Sequence, residues 1–248
     1  MQSRLPVMIL LICAAANAAC DSLIARGDSL YERFDNRGAL QHYLDARRKC
    51  PEVYEPLMKT ARAYNDVGED AGGKDAGTYY RSAYQYADTL VKRYPDSLMS
   101  HFMMAAAAGN LALFAGPREK VELTKTIERS AKRAIELDPD YDPAYVILGS
   151  YYRHVAQSSD VLKFLARTIF GSAPEGTLEQ SEEFLRKAVT LNDRNIFAHL
   201  ELGKTLLAMD EQAGARKHLR QAADLPVTNH QHKQLKREAR ELLSEAGN

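Results

Sequence analysis

Small and hydrophobic side chains return along this chain at a spacing that predicts paired helices. One copy of the pattern comprises Leu23, Gly27, Leu30, Ala39, Tyr43, Ala46 and Pro51, and another comprises His199, Gly203, Leu206, Ala215, Leu219, Ala222 and Pro226. The two copies have identical internal spacings up to the final proline. A glycine or alanine lets two helices approach closely, and larger side chains fill the remaining space. The pattern therefore predicts helix-turn-helix units that stack on one another.

Prolines mark the ends of further units, because a proline cannot continue the helix before it. Pro51, Pro95 and Pro139 occupy such positions, and the segments between them carry looser copies of the pattern. A unit of about 34 residues resembles the tetratricopeptide repeat. We therefore predict an all-α fold, a tetratricopeptide-like helical solenoid of about five helix pairs with an inserted short helix and a C-terminal capping helix. The alternative is a generic helical bundle.

Three segments fall outside the regular pattern. The apolar segment Val161 to Phe170 is predicted to be the inserted helix, which either packs in the space around it, caps a groove or contacts a membrane. The residues proposed for capping or membrane contact are Leu162, Phe164, Leu165, Ile169 and Phe170. Residues 230–246 are predicted to form the capping helix. Residues 65–77 are rich in Gly and Asp and are predicted to be a solvated loop.

The N-terminus has the pattern of an export signal. Arg4 precedes an apolar stretch from Leu5 to Ala16, and Ala16-Asn17-Ala18 is a small-x-small cleavage site. The stretch is too short to span a bilayer. We therefore predict a signal peptide at residues 1–19, a single domain at residues 20–248, and a periplasmic or envelope-associated protein.

Cys20 has two alternative predictions. Ala18-Ala19-Cys20 resembles the end of a lipoprotein signal, in which the cysteine is acylated and anchors the protein to a membrane, although Asn17 departs from that pattern. Alternatively, antiparallel helices place Cys20 beside Cys50, where a disulfide can form. Acylation and the disulfide exclude each other.

The second half of the chain carries a more specific pattern. Its residues are Gly116, Lys120, Val121, Asp142, Pro143, Ala144, Leu148, Gly149, Leu162, Phe164, Phe170 and Gly171. In this order they are similar to the regulator of microtubule dynamics family, over roughly residues 116–243. The resemblance implies a tetratricopeptide-like adaptor near membranes, with lipid binding in some members and no reaction. A microtubule role is not expected for a chain with an export signal.

In this repeat type the first helix of each pair lines the concave face. The side chains expected there, and proposed to bind a partner or ligand, are Ile24, Tyr31, Met58, Asn65, Met104, Val146, Arg153, Leu200, Lys204 and Leu207. Most are apolar, and such a groove accepts an amphipathic helix, an extended peptide or a lipid chain. The alternative is that the same side chains pack against the insertion or the terminal helix.

Charge and motifs restrict the class of function. The chain has 33 basic and 33 acidic residues and no long basic stretch, so we expect no nucleic-acid partner. His230 and His232 are two residues apart, which on a helix points them to different sides, and we expect no metal and no cofactor. We find no catalytic motif. The sequence therefore predicts a non-enzymatic exported scaffold that binds a protein or peptide, with a carrier of a lipid or another hydrophobic ligand, or contact with the envelope membrane, as the alternative.

Overall fold

The computed structural model describes residues 5–228 and 231–245, and within these ranges all side chains except those of residues 5–17, 165, 169 and 170. The proposed capping residues Leu165, Ile169 and Phe170 therefore lie outside the described side chains, and His230 lies outside the described residues. The helices are α1 (Leu5–Glu32), α2 (Asn36–Lys49), α3 (Tyr54–Ala71), α4 (Gly73–Arg93), α5 (Leu98–Ala112), α6 (Pro117–Leu137), α7 (Asp142–Ala156), α8 (Asp160–Phe170), α9 (Leu178–Leu191), α10 (Ile196–Ala208), α11 (Gln212–Asp224) and α12 (Gln231–Glu245).

These helices pack as the repeat pattern predicts. The pairs are α1 with α2, α3 with α4, α5 with α6, α7 with α9, and α10 with α11. Helix α8 is inserted between the two helices of the fourth pair, and α12 packs on the fifth pair. The predicted fold class is confirmed, including the five pairs, the short inserted helix and the terminal cap.

The chain forms two compact units, Met1–Pro95 and Asp96–Asn248, called unit 1 and unit 2 below. Unit 1 contains α1 to α4, and unit 2 contains α5 to α12. The boundary follows Pro95, one of the prolines that mark repeat ends in the sequence. The prediction of a single domain after residue 19 stays a prediction.

Close approach within the pairs explains the glycines of the pattern. A Cβ atom on Gly27 would lie 2.5 Å from the ring of Tyr43, and one on Gly203 would lie 2.7 Å from Leu219. Both distances are far shorter than any real carbon–carbon contact between side chains. The same packing therefore joins α1 to α2 and α10 to α11, as the identical spacings predict.

The insertion and the cap also follow the sequence. The Ser159 hydroxyl accepts a hydrogen bond from the Leu162 amide at 3.4 Å, and α8 ends at Gly171, which has φ 76°. Helix α8 packs against α6 and buries Ala166. Helix α12 packs Ala239 into the cluster formed by α10 and α11, and three leucines of this helix pack against the same cluster. These are Leu235, Leu242 and Leu243.

The predicted loop at residues 65–77 is wrong. Helix α3 continues to Ala71 and α4 begins at Gly73, so the chain reverses within a tight connection at Gly72 and Gly73, both with positive φ. Val67 is fully buried and Gly68 lies against the Tyr80 ring. Burial of one helix face therefore outweighs the low helix propensity of Gly and Asp in this segment.

Helix α1 is continuous through residues 5–32, so Cys20 lies within this helix and not at its first turn. Within the part of the chain that the structure describes, none of the helices combines the length and apolar character of a membrane span.

Candidate binding surfaces

Burial separates the proposed binding residues into two groups. Ile24, Met104, Val146 and Leu200 are buried, with exposed fractions of 6% or less. Val146 belongs to the core between α7, α9 and α10, and Leu200 belongs to the core between α10, α11 and α12. These four side chains have no surface to offer a partner, because the adjacent helices cover them. Leu200 packs in a cluster with the terminal helix, as the alternative given above predicts, whereas Ile24 and Val146 pack against other repeat helices.

The other proposed residues keep a polar group or a partial exposure. Tyr31, Met58, Lys204 and Leu207 are half-buried. Asn65 and Arg153 are buried, and both are polar. Their binding role stays a prediction. Burial restricts the candidate binding site to two places, one in each unit.

The first place is a charged surface of unit 1, formed by Asp28 and Tyr31 of α1 with Lys59 and Arg62 of α3, and called the Asp28 surface below. The Asp28 carboxylate accepts hydrogen bonds from the Tyr43 hydroxyl and from Lys59 Nζ, each at 2.7 Å. The Arg62 guanidinium lies 4.1 Å above the Tyr31 ring, a cation–π contact. Fixed partners thus hold these charged side chains in place.

Two carboxylates of this region, Asp28 and Asp66, have their pKa values shifted in opposite directions. Burial acts to raise the pKa of Asp28, but hydrogen bonds from Lys59 and Tyr43 outweigh it and lower the pKa. Burial raises the pKa of Asp66 to about 7, although Arg62 opposes the shift. Asp28 is thus a permanent anion at neutral pH, whereas Asp66 changes its charge there.

The second place is a buried group of charges in unit 2, called the Glu201 cluster below. Glu201 of α10 accepts hydrogen bonds from Ser150 at 2.7 Å and from Lys204 at 2.8 Å, and it also pairs with Arg153. Lys204 in turn lies 2.6 Å from Glu238 of α12. The cluster therefore joins α7 to α10 through Glu201, and α10 to α12 through Lys204.

Glu201 is buried and remains charged. Burial acts to raise its pKa, but Arg153 and Lys204 outweigh burial and lower the pKa to about 2. The Arg153 Nε atom is buried, and it has no hydrogen-bond partner among the residues that the structure describes. The stability of the cluster depends on the Glu201 carboxylate. Without it the positive charge of Arg153 would be uncompensated, because a buried guanidinium cannot release its proton.

Arg153 and Lys204, both predicted for the concave face, meet at one carboxylate that was not predicted. Glu201, Asp28 and Lys59 were missed among the site residues, because the expected concave face was drawn mainly from apolar inward positions. One signal was available in the sequence, since Glu201 interrupts the apolar run of α10 three residues before Lys204, the spacing of a helical ion pair.

Unit 2 also contains a polar pocket of about 350 Å³. Its lining residues are Asp142, Pro143, Asn192, Arg194, Asn195, Pro226, Thr228 and His232. Asp142 accepts a hydrogen bond from Asn195 at 2.5 Å, so part of this lining joins α7 to the start of α10. In residues 5–228 and 231–245, no group of three or more His, Cys, Asp or Glu side chains is arranged to hold a metal.

Two histidines of unit 2 stack in the core between α10 and α11. The Nδ1 atoms of His199 and His218 lie 3.0 Å apart, and His199 Nε2 lies 2.9 Å from the carbonyl oxygen of Asp193. Burial, together with the neighbouring His199, lowers the pKa of His218 to about 4. The pair is therefore neutral at neutral pH.

Comparison with known proteins defines the class of this fold. A thermophilic tetratricopeptide-repeat protein from Thermus thermophilus superposes with a TM-score of 0.65 at 20% identity, covering 92% of this chain and 98% of that one. MamA from Desulfovibrio magneticus superposes with a TM-score of 0.55 at 19% identity, covering 84% and 94%. The fold is that of tetratricopeptide-repeat proteins.

The family follows from the sequence match. Residues 23–247 match the family described as Regulator of microtubule dynamics protein 1-3. The chain is 26% identical to regulator of microtubule dynamics protein 1 of Bos taurus, over 95% of this chain and 74% of that protein. It is 23% identical to regulator of microtubule dynamics protein 2 of Mus musculus, over 90% and 55%. The chain belongs to this family, and the predicted resemblance is confirmed.

Proposed function

We propose that this protein is a non-enzymatic, exported scaffold that binds a protein or peptide through the first helices of its repeats. The Asp28 surface carries the proposal, because charged and aromatic groups are held there by hydrogen bonds while part of the surface stays open. The Asp28 side chain is 37% exposed, and Tyr31 of α1 and Met58, one helical turn before Arg62 on α3, are half-buried. Groups fixed before binding lose little conformational entropy when a partner docks.

The chemistry of the surface suggests the kind of partner. Asp28 offers an acceptor, Lys59 and Arg62 offer donors, and Tyr31 and Met58 offer apolar contact. A peptide segment with an exposed backbone and side chains of both polarities fits such a surface. Membership in a family of regulator proteins and the repeat fold support a binding role, and the sequence pattern of residues 1–19 supports export.

The lipid-carrier alternative depended on an apolar groove. Four apolar members of that groove, Ile24, Met104, Val146 and Leu200, are core side chains. The scaffold is therefore the function we propose, and a bound lipid remains an outcome that the experiment below can detect.

Site-specific photocrosslinking in cells tests the proposal. A photoreactive amino acid replaces Met58 on α3 or, as a matched control, the exposed Gln85 on α4 of the same unit. We expect a discrete protein adduct from position 58 only, and a several-fold lower yield when Tyr31→Ala is added. Circular dichroism of that variant checks that the helices persist.

Two results would contradict the scaffold proposal. Equal adducts from positions 58 and 85 would show non-specific contact with unit 1. An adduct of lipid mass at position 58, with no protein attached, would favour the carrier alternative.

A further inference from the structure

Cys20 and Cys50 lie together in a small core of unit 1. Cys20 belongs to α1, and Cys50 caps the end of α2. Both are buried in one cluster with Ile24 and Ala46, and neither is in a disulfide in this structure. Residues 30 positions apart in the sequence are thus side by side in the fold.

One backbone carbonyl fixes this arrangement. The Ala46 oxygen accepts a hydrogen bond from the Cys50 amide at 2.8 Å and a weak one from the Cys20 thiol at 3.9 Å. The two thiols are also in hydrogen-bond contact with each other. A disulfide requires the two cysteines to be neighbours with their side chains directed toward one another. The contact between the two thiols meets both requirements.

We propose that Cys20 and Cys50 form a disulfide that joins α1 to the end of α2, and that Cys20 is not acylated. The Cys20 side chain is enclosed, with an exposed fraction of 2%. A thioether-linked diacylglyceryl group has no path to the surface from that position unless α1 leaves α2. The disulfide instead removes two hydrogens and keeps the packing of the cluster.

The bond forms by exchange with a small disulfide such as oxidised glutathione. One cysteine thiolate attacks a glutathione sulfur, a mixed disulfide forms, and one glutathione thiolate leaves. The second cysteine thiolate then attacks the protein sulfur of the mixed disulfide and releases the other glutathione. Two protein thiols are oxidised, one glutathione disulfide is reduced to two thiols, and the two cysteine protons go to the leaving groups.

Burial of the Cys20 thiol determines whether this exchange occurs before or after folding. It raises the pKa of Cys20 to about 12, and the contact with Cys50 acts in the same direction. A protonated, enclosed thiol is a poor nucleophile. Oxidation is therefore slow in the folded protein and fast during refolding, before α1 and α2 close over the pair.

The experiment uses the full chain with Cys13→Ser, so that Cys20 and Cys50 are the remaining cysteines. The protein is unfolded in urea, refolded with reduced and oxidised glutathione, and analysed by intact mass and non-reducing peptide mapping. We expect a mass loss of about 2 Da and a peptide linking Cys20 to Cys50. The matched control Cys50→Ser cannot form the bond, so it should show neither the mass loss nor the linked peptide.

The proposal also predicts a higher melting temperature for the oxidised protein than for the same sample after reduction, because the bond closes a loop of about 30 residues in the unfolded chain. Refolded protein with two free thiols or two glutathione adducts would overturn the proposal. So would a diacylglyceryl mass on Cys20 in protein purified from its own cells. None of these outcomes depends on whether the Asp28 surface binds a partner.

Discussion

The first helices of unit 1 and unit 2 share one packing rule and present different faces. In both units a glycine lets a first helix rest on a large side chain of its partner, Gly27 on Tyr43 and Gly203 on Leu219. In unit 1 the charged side chains beside that contact are partly exposed and form the Asp28 surface. In unit 2 Glu201 and Arg153 are buried as a pair, and the half-buried Lys204 links Glu201 to Glu238 of α12.

This difference separates two properties of a helical repeat. Spacing in the sequence sets how the two helices of a pair meet, whereas the next element in space decides whether the first helix stays open. In unit 2 that element is α12, which packs on α10 and α11. A surface suited to binding and a buried structural cluster can therefore arise on the first helices of one type of repeat.

The largest expected effect on the free energy of unfolding comes from removing the Glu201 carboxylate. Glu201→Ala leaves Arg153 buried beside a cavity, and removing one partner of a buried ion pair costs about 3–5 kcal/mol in the free energy of unfolding. Asp28→Ala in unit 1 should cost about 1 kcal/mol, because water screens its more exposed pair. Urea unfolding followed by circular dichroism measures both values.

Equal costs for these two variants would contradict the contrast between an open and a buried charge network. The double variant Glu201→Leu with Arg153→Met sharpens the test. It should recover most of the lost stability, because apolar side chains of similar size can replace a buried ion pair.

A smaller effect tests the packing that the two units share. Gly27→Ala places a methyl group against the buried Tyr43 ring and should destabilise the protein by about 1–3 kcal/mol. Gly109→Ala is the matched control, since a Cβ there meets no atom within 4 Å. It should stabilise helix α5 by about 0.5–1 kcal/mol, because alanine is the better helix former. If both variants destabilise the protein, the close approach of α1 and α2 does not explain the glycine at position 27.

Per pH unit, the smallest expected effect is an opposite response of the two units to pH. Asp66 in unit 1 has its pKa raised to about 7. Its contribution to the free energy of unfolding is therefore present below pH 4 and is lost as the pH rises toward 7. His218 in unit 2 has its pKa lowered to about 4. Its contribution to the free energy of unfolding is therefore present above pH 6.5 and is lost as the pH falls toward 4. Each slope is at most about 1.4 kcal/mol per pH unit.

Hydrogen exchange, corrected for the intrinsic pH dependence of the rate, measures the stability of each unit separately. Between pH 4.5 and 6.5 we expect unit 1 to lose protection and unit 2 to gain it as the pH rises. Asp66→Asn should flatten the first slope and His218→Gln the second. Slopes of the same sign in both units would contradict the assignment of these two groups.

Much of the fold could be predicted because the repeat is a local pattern. Gly27, Tyr43, Gly203 and Leu219 have the same spacing in two copies, and helices with that pattern have one good way to pack. The loop predicted at residues 65–77 failed for a physical reason. Its Gly and Asp residues disfavour a helix locally, but burial of Val67 and Gly68 against α4 stabilises the helix more.

The candidate site was less predictable than the fold. The side of a helix that faces a groove also faces the next helix, and sequence spacing does not distinguish the two. Leu200 and Met104 were placed in a groove by their positions and lie in the core. Arg153 and Lys204 were placed on the same face, but the pairing of Arg153 with Glu201 depended on the meeting of α7 and α10.

By itself, the sequence determined the five helix pairs, the insertion, the terminal cap and the family, because these depend on residue spacing within about 40 positions. The tertiary structure decided which first-helix positions are open in each unit, the pairing of Glu201 with Arg153, and the contact between Cys20 and Cys50. The physical reason is that burial and charge pairing depend on atoms from other helices. Those neighbours exist only after the chain has folded.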